Sequence, residues 1–308
     1  MANRMIRAKA LQSQDPIAVI APSSPFERAR LRDAIGWLEK RGYQVRTDPG
    51  IYAKKDYLAG DDARRLKEFV SAWLDAGNRA VLAARGGYGS IRILEGISKK
   101  TLRGGRKILM GLSDLTLLLN HVARTTGLVT VHGPVLAGDS FLSLDETRRS
   151  RLFELLENSR PVRLREPIDF RVLEPGTAHG KLWGGNLSMV QASLGTPYEI
   201  PFSDGILFLE EVNEPRYRVD RMFAHLYHRG AFRKIRGLLL GHFLDEEGVT
   251  HDPAFLRALI ERYVKSAHVP VLMGIRAGHG RNDVLLPIGG VCSIRQKGRL
   301  LELSPLVA

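Results

Sequence analysis

Residues 107–124 read KILMGLSDLTLLLNHVAR, and the way this run divides decides the fold. Lys107 to Gly111 has the composition of a short buried strand, while Asp114 to Arg124 places its apolar residues at helical spacing. Ser113 stands on the turn between them. A strand that passes almost directly into a helix lifts a hydroxyl clear of the backbone at the carboxyl edge of a sheet, as a nucleophile elbow does. It also sets the unpaired amides and positive end of the helix beside any oxyanion formed there. Leu115 stands where an elbow normally carries its second glycine. The alternative is that Ser113 simply caps the helix, since serine is a favoured N-cap.

Outward from this turn the chain alternates. Ile17 to Ala21, Gln44 to Thr47, Ala80 to Ala84 and Lys107 to Gly111 read as strands. Glu27 to Arg41, Asp61 to Asp75, Ile91 to Glu95 and Asp114 to Arg124 read as the helices between, with Asp61 and Asp62 as capping candidates. That pattern predicts an α/β domain with a parallel sheet covered on both faces and ligands at the carboxyl ends of its strands. Ser113 and the loop Arg85 to Gly89 both fall at such ends. Residues 157–176, ENSRPVRLREPIDFRVLEPG, are rich in proline and charge and read as a connection. The expected division is a nucleophile domain over 1–155, a linker over 156–178 and a smaller α/β domain over 179–308. In the last, Gly180 to Trp183, Gly205 to Glu210, Gly237 to Gly241 and Pro270 to Met273 read as strands. Val291 to Arg295 and Arg299 to Leu303 flank Gln296-Lys297-Gly298 as a hairpin.

Two segments supply partners for a serine nucleophile. Gly205 to Val212 (GILFLEEV) ends an apolar run in two glutamates, and Gly278-His279-Gly280 follows the apolar stretch Val269 to Ile275. A histidine can take the hydroxyl proton and return it to a leaving amine, and a carboxylate fixes its tautomer and stabilises the imidazolium. Successive strand residues face opposite ways, so only one of Glu210 and Glu211 can aim at the histidine. Glu210 is the choice made here. With Ser113 and the glutamate on different domains, the active site is expected in the cleft between them.

Together these strings resemble the LD-carboxypeptidase family, which also contains the microcin C immunity peptidases. The resemblance runs over nearly the whole chain. It rests on Ile17 to Ser24 (IAVIAPSS), Arg85-Gly86-Gly87-Tyr88-Gly89, the Gly-Leu-Ser-Asp turn and Val131-His132-Gly133-Pro134. It continues through Trp183-Gly184-Gly185-Asn186-Leu187, Leu209-Glu210-Glu211, Glu214 to Arg221 (EPRYRVDR), Gly278-His279 and Leu286-Pro287-Ile288-Gly289. Family members often carry Glu-Asp where this chain has Glu210-Glu211, which leaves the first carboxylate in place. The resemblance implies a flavodoxin-like or class I glutamine amidotransferase-like first domain and a Ser-Glu-His triad at Ser113, Glu210 and His279. It further implies a cofactor-independent serine carboxypeptidase that removes the terminal D-alanine of a murein tetrapeptide during cell-wall recycling, and a homodimer.

The remaining candidates each have a plainer reading beside them. The amides of Gly87 and Asp114 are candidates for an oxyanion hole, because glycines allow close backbone approach and positive φ; an ordinary glycine-rich turn is the alternative. The loop has neither G-x-G-x-x-G nor a P-loop Gly-Lys-Ser/Thr, so it is not a nucleotide loop. Arg85 and Tyr88 on it are candidate substrate contacts, Arg85 for a terminal carboxylate. Trp183 and Asn186 are candidates from the second domain, although the tryptophan could equally be core. His132 could shape the pocket or be a buried, hydrogen-bonded histidine. His225 and His228 have a spacing that can chelate metal, and Asp245-Glu246-Glu247 could hold a hard cation, but no third ligand is evident and no metal is expected.

Composition narrows the classes. The 308 residues include 46 Lys plus Arg against 33 Asp plus Glu, a net charge of +13 that raises the possibility of nucleic acid. The basic residues are spread through helices such as Glu27 to Arg41, with no aromatic-interleaved stacking motif, so nucleic acid is not expected as a partner. No run of roughly 18 apolar residues is present, and insertion into a membrane is not expected. The start, MANRMIRAKALQSQDP, lacks an apolar core or cleavage site, and the single cysteine, Cys292, cannot form an internal disulfide. Composition leads to the expectation of a cytoplasmic protein, and the resemblance implies that it acts on a muropeptide. The nearest alternative uses the same triad on peptidyl or aminoacyl adenylates of the microcin C type. An alternative of another class is a non-catalytic ligand-binding or nucleic-acid-binding protein.

Overall fold

A computed structural model describes residues 5–308; Met1 to Arg4, the start of the segment read for a leader, lie outside the described residues. The first five strands are β1 (Pro16–Ile20), β2 (Gln44–Thr47), β3 (Ala80–Ala83), β4 (Ile108–Gly111) and β5 (Thr130–His132). Then come β6 (Val162–Arg165), β7 (Arg171–Glu174), β8 (Ala178–Asn186), β9 (Ile206–Glu211) and β10 (Gly237–Phe243). The chain ends with β11 (Val271–Met273), β12 (Leu286–Ile288), β13 (Val291–Arg295) and β14 (Leu300–Leu303). They form two sheets, ordered β12-β5-β4-β3-β1-β2 and β6-β14-β13-β8-β9-β10-β11-β7.

In the first sheet β2, β1, β3, β4 and β5 are mutually parallel. The strands β1, β3 and β4 are buried almost throughout, which suits apolar runs such as ILMG that have helices on both sides. Chain order reverses between β1 and β3, so the loops leaving these two strands diverge and open a crevice at their carboxyl ends. The second sheet has a parallel centre, β8-β9-β10-β11, with antiparallel strands on its flanks. Each sheet carries its own apolar core, the first around Trp73, Phe141 and Phe153 and the second around Phe208, Phe223 and Phe243.

Several elements differ from the sequence reading. The helix after Ser113 begins only at Thr116, following a 3₁₀ turn over Ser113–Leu115, and runs to Thr126. Residues 91–95 form a shorter helix, Ser90–Ile93, continued as a 3₁₀ turn. Within the stretch read as a connection, β6 pairs with β14 and β7 with β11, so both form edges of the second sheet. Edges tolerate the charge found in VRLR and RVLE because one side of the strand needs no ladder bonds, and the prolines fall outside the two strands. The strand β12, far along the chain, crosses back to pair with β5 through Leu286↔His132. Gln296 and Lys297 both adopt positive φ in the β13–β14 turn, as a tight hairpin requires. Asp61 caps the helix Asp62–Leu74 by accepting from the Arg64 amide at 2.8 Å. Among the described residues no helix is long and apolar enough to cross a membrane.

The two sheets meet along the helix Thr116–Thr126. Asn120 Nδ2 donates to the Gly184 carbonyl at 2.8 Å while Asn120 Oδ1 accepts from the Gly184 amide at 3.0 Å, all of it buried. The Asn186 amide donates to Thr116 Oγ1 at 3.0 Å. A Cβ on Gly184 would lie 2.1 Å from the Phe208 carbonyl oxygen and one on Gly185 2.5 Å from Thr116 Oγ1, so only glycine permits this approach. Asn120→Leu should therefore strand both backbone groups of Gly184. A loss of about 2–4 kcal/mol in chemical denaturation is expected, with a lowered Tm.

Candidate active site

Ser113 lies at the carboxyl end of β4 with φ 62°, a left-handed conformation that non-glycine residues rarely adopt. Neither the 3₁₀ turn nor the helix behind it has a side-chain cap, so the hydroxyl of Ser113 is not spent on capping. The Arg85–Gly89 loop comes directly against it. A Cβ on Gly86 would stand 2.7 Å from Ser113 Cβ and 3.0 Å from its Oγ, which requires glycine there, and Gly87 follows with φ 97°.

A buried carboxylate ties these loops together. Asp114 Oδ2 accepts from Ser23 Oγ at 2.5 Å and from the Ser90 amide at 2.7 Å, and Ser90 Oγ donates to the Asp114 carbonyl at 2.6 Å. Burial pushes the Asp114 pKa up against the opposing pull of those hydrogen bonds. Arg65, fully buried, donates to the carbonyls of Pro22 at 2.5 Å and Gly89 at 2.7 Å and pairs with Asp62. The Ser24 amide donates to the Gly86 carbonyl at 3.1 Å, and Ser24 Oγ accepts from the Tyr88 amide at 3.1 Å. The loops after β1, β3 and β4 are thus one hydrogen-bonded unit.

Of the two glutamates ending β9, Glu210 meets the histidine. Glu210 Oε2 lies 2.7 Å from His279 Nδ1, with Glu210 wholly buried and the His279 side chain 18 % exposed. Glu211 faces the other way and accepts from Asn186 Nδ2 at 2.8 Å, the Ser188 amide at 2.8 Å and Ser188 Oγ at 2.6 Å. Gly278 has φ 121°, and a Cβ there would lie 2.7 Å from Glu210 Oε2. Burial alone would push His279 down, but the charge and hydrogen bond of Glu210, with Glu211 behind it, lift it above its ordinary value. Burial likewise pushes Glu210 up, and His279 outweighs it, so the carboxyl sits below its ordinary range. Both shifts describe one attraction between a carboxylate and an imidazole that favours the proton on His279.

Other candidates are placed differently from one another. Arg85 and Tyr88 are exposed on the loop beside Ser113; Arg85 Nη1 donates to the Pro25 carbonyl at 2.6 Å, and the Tyr88 ring packs edge-on to Tyr57. Trp183, read as a substrate contact or as core, is only 7 % exposed and lies in the second core against Gly205 and Gly289, which favours the core reading. Asn186 is also interior, where it holds Glu211 and caps the helix Leu187–Ala192 by accepting from the Met189 amide at 3.2 Å. His132, at the end of β5, is buried with its ring 5.1 Å from that of Phe208; burial pushes its pKa down to about 4, against the pull of Glu210, so it is neutral. Among the described residues neither of its ring nitrogens has a hydrogen-bond partner. His225 Nδ1 is engaged by Gln191 at 2.8 Å, and the first carboxylate of Asp245-Glu246-Glu247 accepts from the amides of Glu247 and Val249 within its own turn. His242, on β10, also lies near the site, and its only local signal in the sequence is a polar side chain inside the apolar run GLLLGHF.

The arrangement combines a serine on a strained strand-to-helix turn, a glycine backbone pressed against it, and a histidine polarised by a buried glutamate. Residues 17–133 match the LD-carboxypeptidase N-terminal domain and residues 179–294 the LD-carboxypeptidase C-terminal domain. The chain belongs to the LD-carboxypeptidase family and is a serine-type carboxypeptidase. It is 36% identical over 287 residues to a Bacillus subtilis protein named "Probable murein peptide carboxypeptidase", covering 92% of this chain and 89% of that one. The crystal structure of a muramoyltetrapeptide carboxypeptidase from Oxalobacter formigenes superposes with TM-score 0.81 and 29% identity, over 95% of this chain and 100% of the other. An MccF-like protein from Bacillus anthracis superposes with TM-score 0.88 at 24% identity, over 98% and 100%, a likeness of fold.

Proposed function

We propose that the enzyme hydrolyses the bond between the diamino acid and the terminal D-alanine of a murein tetrapeptide, in cell-wall recycling, through Ser113, His279 and Glu210. The observation that carries this reading is the 2.7 Å contact between His279 Nδ1 and the fully buried Glu210, in a chain whose Ser113 is held at positive φ. Because Nδ1 is committed to the carboxylate, Nε2 is the nitrogen left to act as base. Ser113 Oγ attacks the scissile carbonyl and its proton passes to His279 Nε2. The tetrahedral oxyanion is met by the amides of Gly87, on the glycine loop, and Asp114, in the 3₁₀ turn. His279 then protonates the leaving D-alanine, and water, activated by the same histidine, releases the acyl group from Ser113. Arg85, exposed beside the elbow, is the cation proposed to bind the terminal carboxylate, and Tyr88 lies next to it on the rim.

The names carried by relatives support a murein peptide substrate. A substrate of the adenylate type calls for an aromatic platform, and burial of Trp183 in the second core argues against the tryptophan in that role. The excess of basic residues is in keeping with a substrate bearing several carboxylates.

Purified enzyme should release D-alanine from a muropeptide tetrapeptide, measured by a D-amino-acid oxidase assay, and Ser113→Ala should lower turnover roughly 10⁴- to 10⁶-fold. Turnover of an aminoacyl sulfamoyl adenosine alone would move the substrate to the adenylate class, and full activity in Ser113→Ala would remove the serine from the mechanism. The pH dependence follows from His279, which must be neutral to accept a proton. Since Glu210 raises its pKa, kcat/KM should climb with pH through a midpoint above the ordinary histidine value of about 6.5. Glu210→Gln removes the charge, so the limb should move to lower pH while kcat falls roughly 10²- to 10⁴-fold.

A further inference from the structure

His242 lies near the end of β10, where the ladder to β9 is irregular between Leu240 and Phe243. It grips the histidine loop at two points. Its backbone amide donates to the Ala277 carbonyl at 3.0 Å, and its ring Nδ1 accepts from the Gly280 amide at 3.2 Å. These two contacts bracket His279, one two residues before it and the other one residue after. The approach is close on both sides: a Cβ on Gly280 would lie 2.9 Å from the His242 ring, and one on Gly241 would lie 2.5 Å from the Ala277 oxygen.

Further from the histidine the loop is closed on itself. Arg276 Nε pairs with Asp283 at 2.5 Å, the Asp283 amide donates to the Arg276 carbonyl at 3.0 Å, and Asp283 also meets Arg148 Nε of the helix Glu146–Glu157 at 3.0 Å. That ion-paired base fixes where the loop starts and ends. Within it, the ring of His242 is the side chain bonded to the backbone next to His279 on the carboxyl side. A ring nitrogen can accept from an amide only when it carries no proton, so this contact requires neutral His242 with its hydrogen on Nε2. Burial pushes its pKa down; Glu210 and Asp283 pull it up, while His279 and Arg276 add to the downward push. The balance leaves Nδ1 free to accept.

We propose that His242 is a positioning residue for the hydrolysis, its Nδ1 holding the Gly278–Gly280 backbone so that His279 Nε2 stays aligned with Ser113. The proposal rests on the reading of His279 as the general base. It acts through orientation alone: His242 touches the loop and does not contact the reacting atoms. A base displaced by about 1 Å loses on the order of 10²-fold in rate, so a single loop contact is enough to matter.

Two amide substitutions separate the acceptor from mere occupancy of the site. His242→Asn places an amide oxygen close to where Nδ1 stands, whereas His242→Gln carries its polar atoms out to the position of Nε2. In D-alanine release, His242→Asn should keep kcat within about threefold of the parent, and His242→Gln should lose about 10- to 100-fold in kcat with KM changed less than about threefold. Tm should be similar in the two variants. Equal kcat in both, whether high or low, would overturn the proposal, as would a loss that follows Tm or falls on KM alone. Should His242→Gln not fold, His242→Leu, apolar and without an acceptor, takes its place with the same expected loss, and full activity in it overturns the proposal. Ser113→Ala and Glu210→Gln in the same assay keep the two claims apart: inactive triad variants beside a fully active His242→Gln reject His242 only, while active triad variants reject the catalytic reading itself.

Discussion

A glutamate that has no contact with solvent can stay ionised only where a partner stabilises its charge, and the hydrogen bond from His279 Nδ1 meets that demand at the end of β9. Much of the surrounding architecture follows from it. The carboxylate sits on a strand buried on both faces, so the histidine must come to it, on a loop flanked by Gly278 and Gly280 that allow the backbone to pass within reach of Glu210 and His242. The cost of burying the charge is offset by the attraction to the imidazole. The same attraction sets the histidine's tautomer and its affinity for a proton. Removing either partner would leave the other uncompensated, which is why stability and chemistry are coupled at this point.

On the opposite side, the serine is fixed by a second buried carboxylate with a different task. Asp114 faces inward and binds Ser23 and Ser90, which makes the loops leaving β1, β3 and β4 move together. Strain at Ser113 is tolerated because its neighbours are over-determined by these bonds. The first sheet therefore holds the serine proposed as nucleophile and the second the histidine proposed as base. Their relative placement depends on the helix Thr116–Thr126, which leads away from the serine and is bonded through Thr116 and Asn120 to the glycine-rich end of β8. The strand β12 adds a second tie, since it leaves the histidine loop and pairs with β5 in the first sheet. The chain that carries His279 is in this way anchored to the sheet that carries Ser113.

The parallel first sheet was legible because its strands are continuous apolar runs with helical patterns between, a signal carried by each local window. The strand-to-helix turn at Ser113 was legible for the same reason. Alternation along β9 required that Glu210 and Glu211 face opposite ways, but which one would meet His279 depends on contacts across the chain. Long-range pairing was hidden more deeply. Nothing local to Leu286-Pro287-Ile288 indicates a partner in β5, and the short, half-exposed β6 and β7 carry charge and are flanked by Pro161, Pro167 and Pro175, as a connecting segment would be. Trp183 illustrates the limit for side chains: whether it is exposed turns on Gly205 and Gly289, which are remote in sequence and pack against it. His242 went unmarked because an isolated histidine in an apolar strand has no spacing that points to a role; its meaning comes from a loop that folds onto it.

In the proposed mechanism Ser113 is the residue on which the acyl group is carried. This role is tested most directly by labelling the active enzyme with a fluorophosphonate and mapping the modified peptide by mass spectrometry. A single adduct on Ser113, formed in step with loss of activity and slowed in Glu210→Gln, is the predicted result. Complete inactivation with the adduct on another residue, or stoichiometric labelling of Ser113 with turnover undiminished, would contradict it.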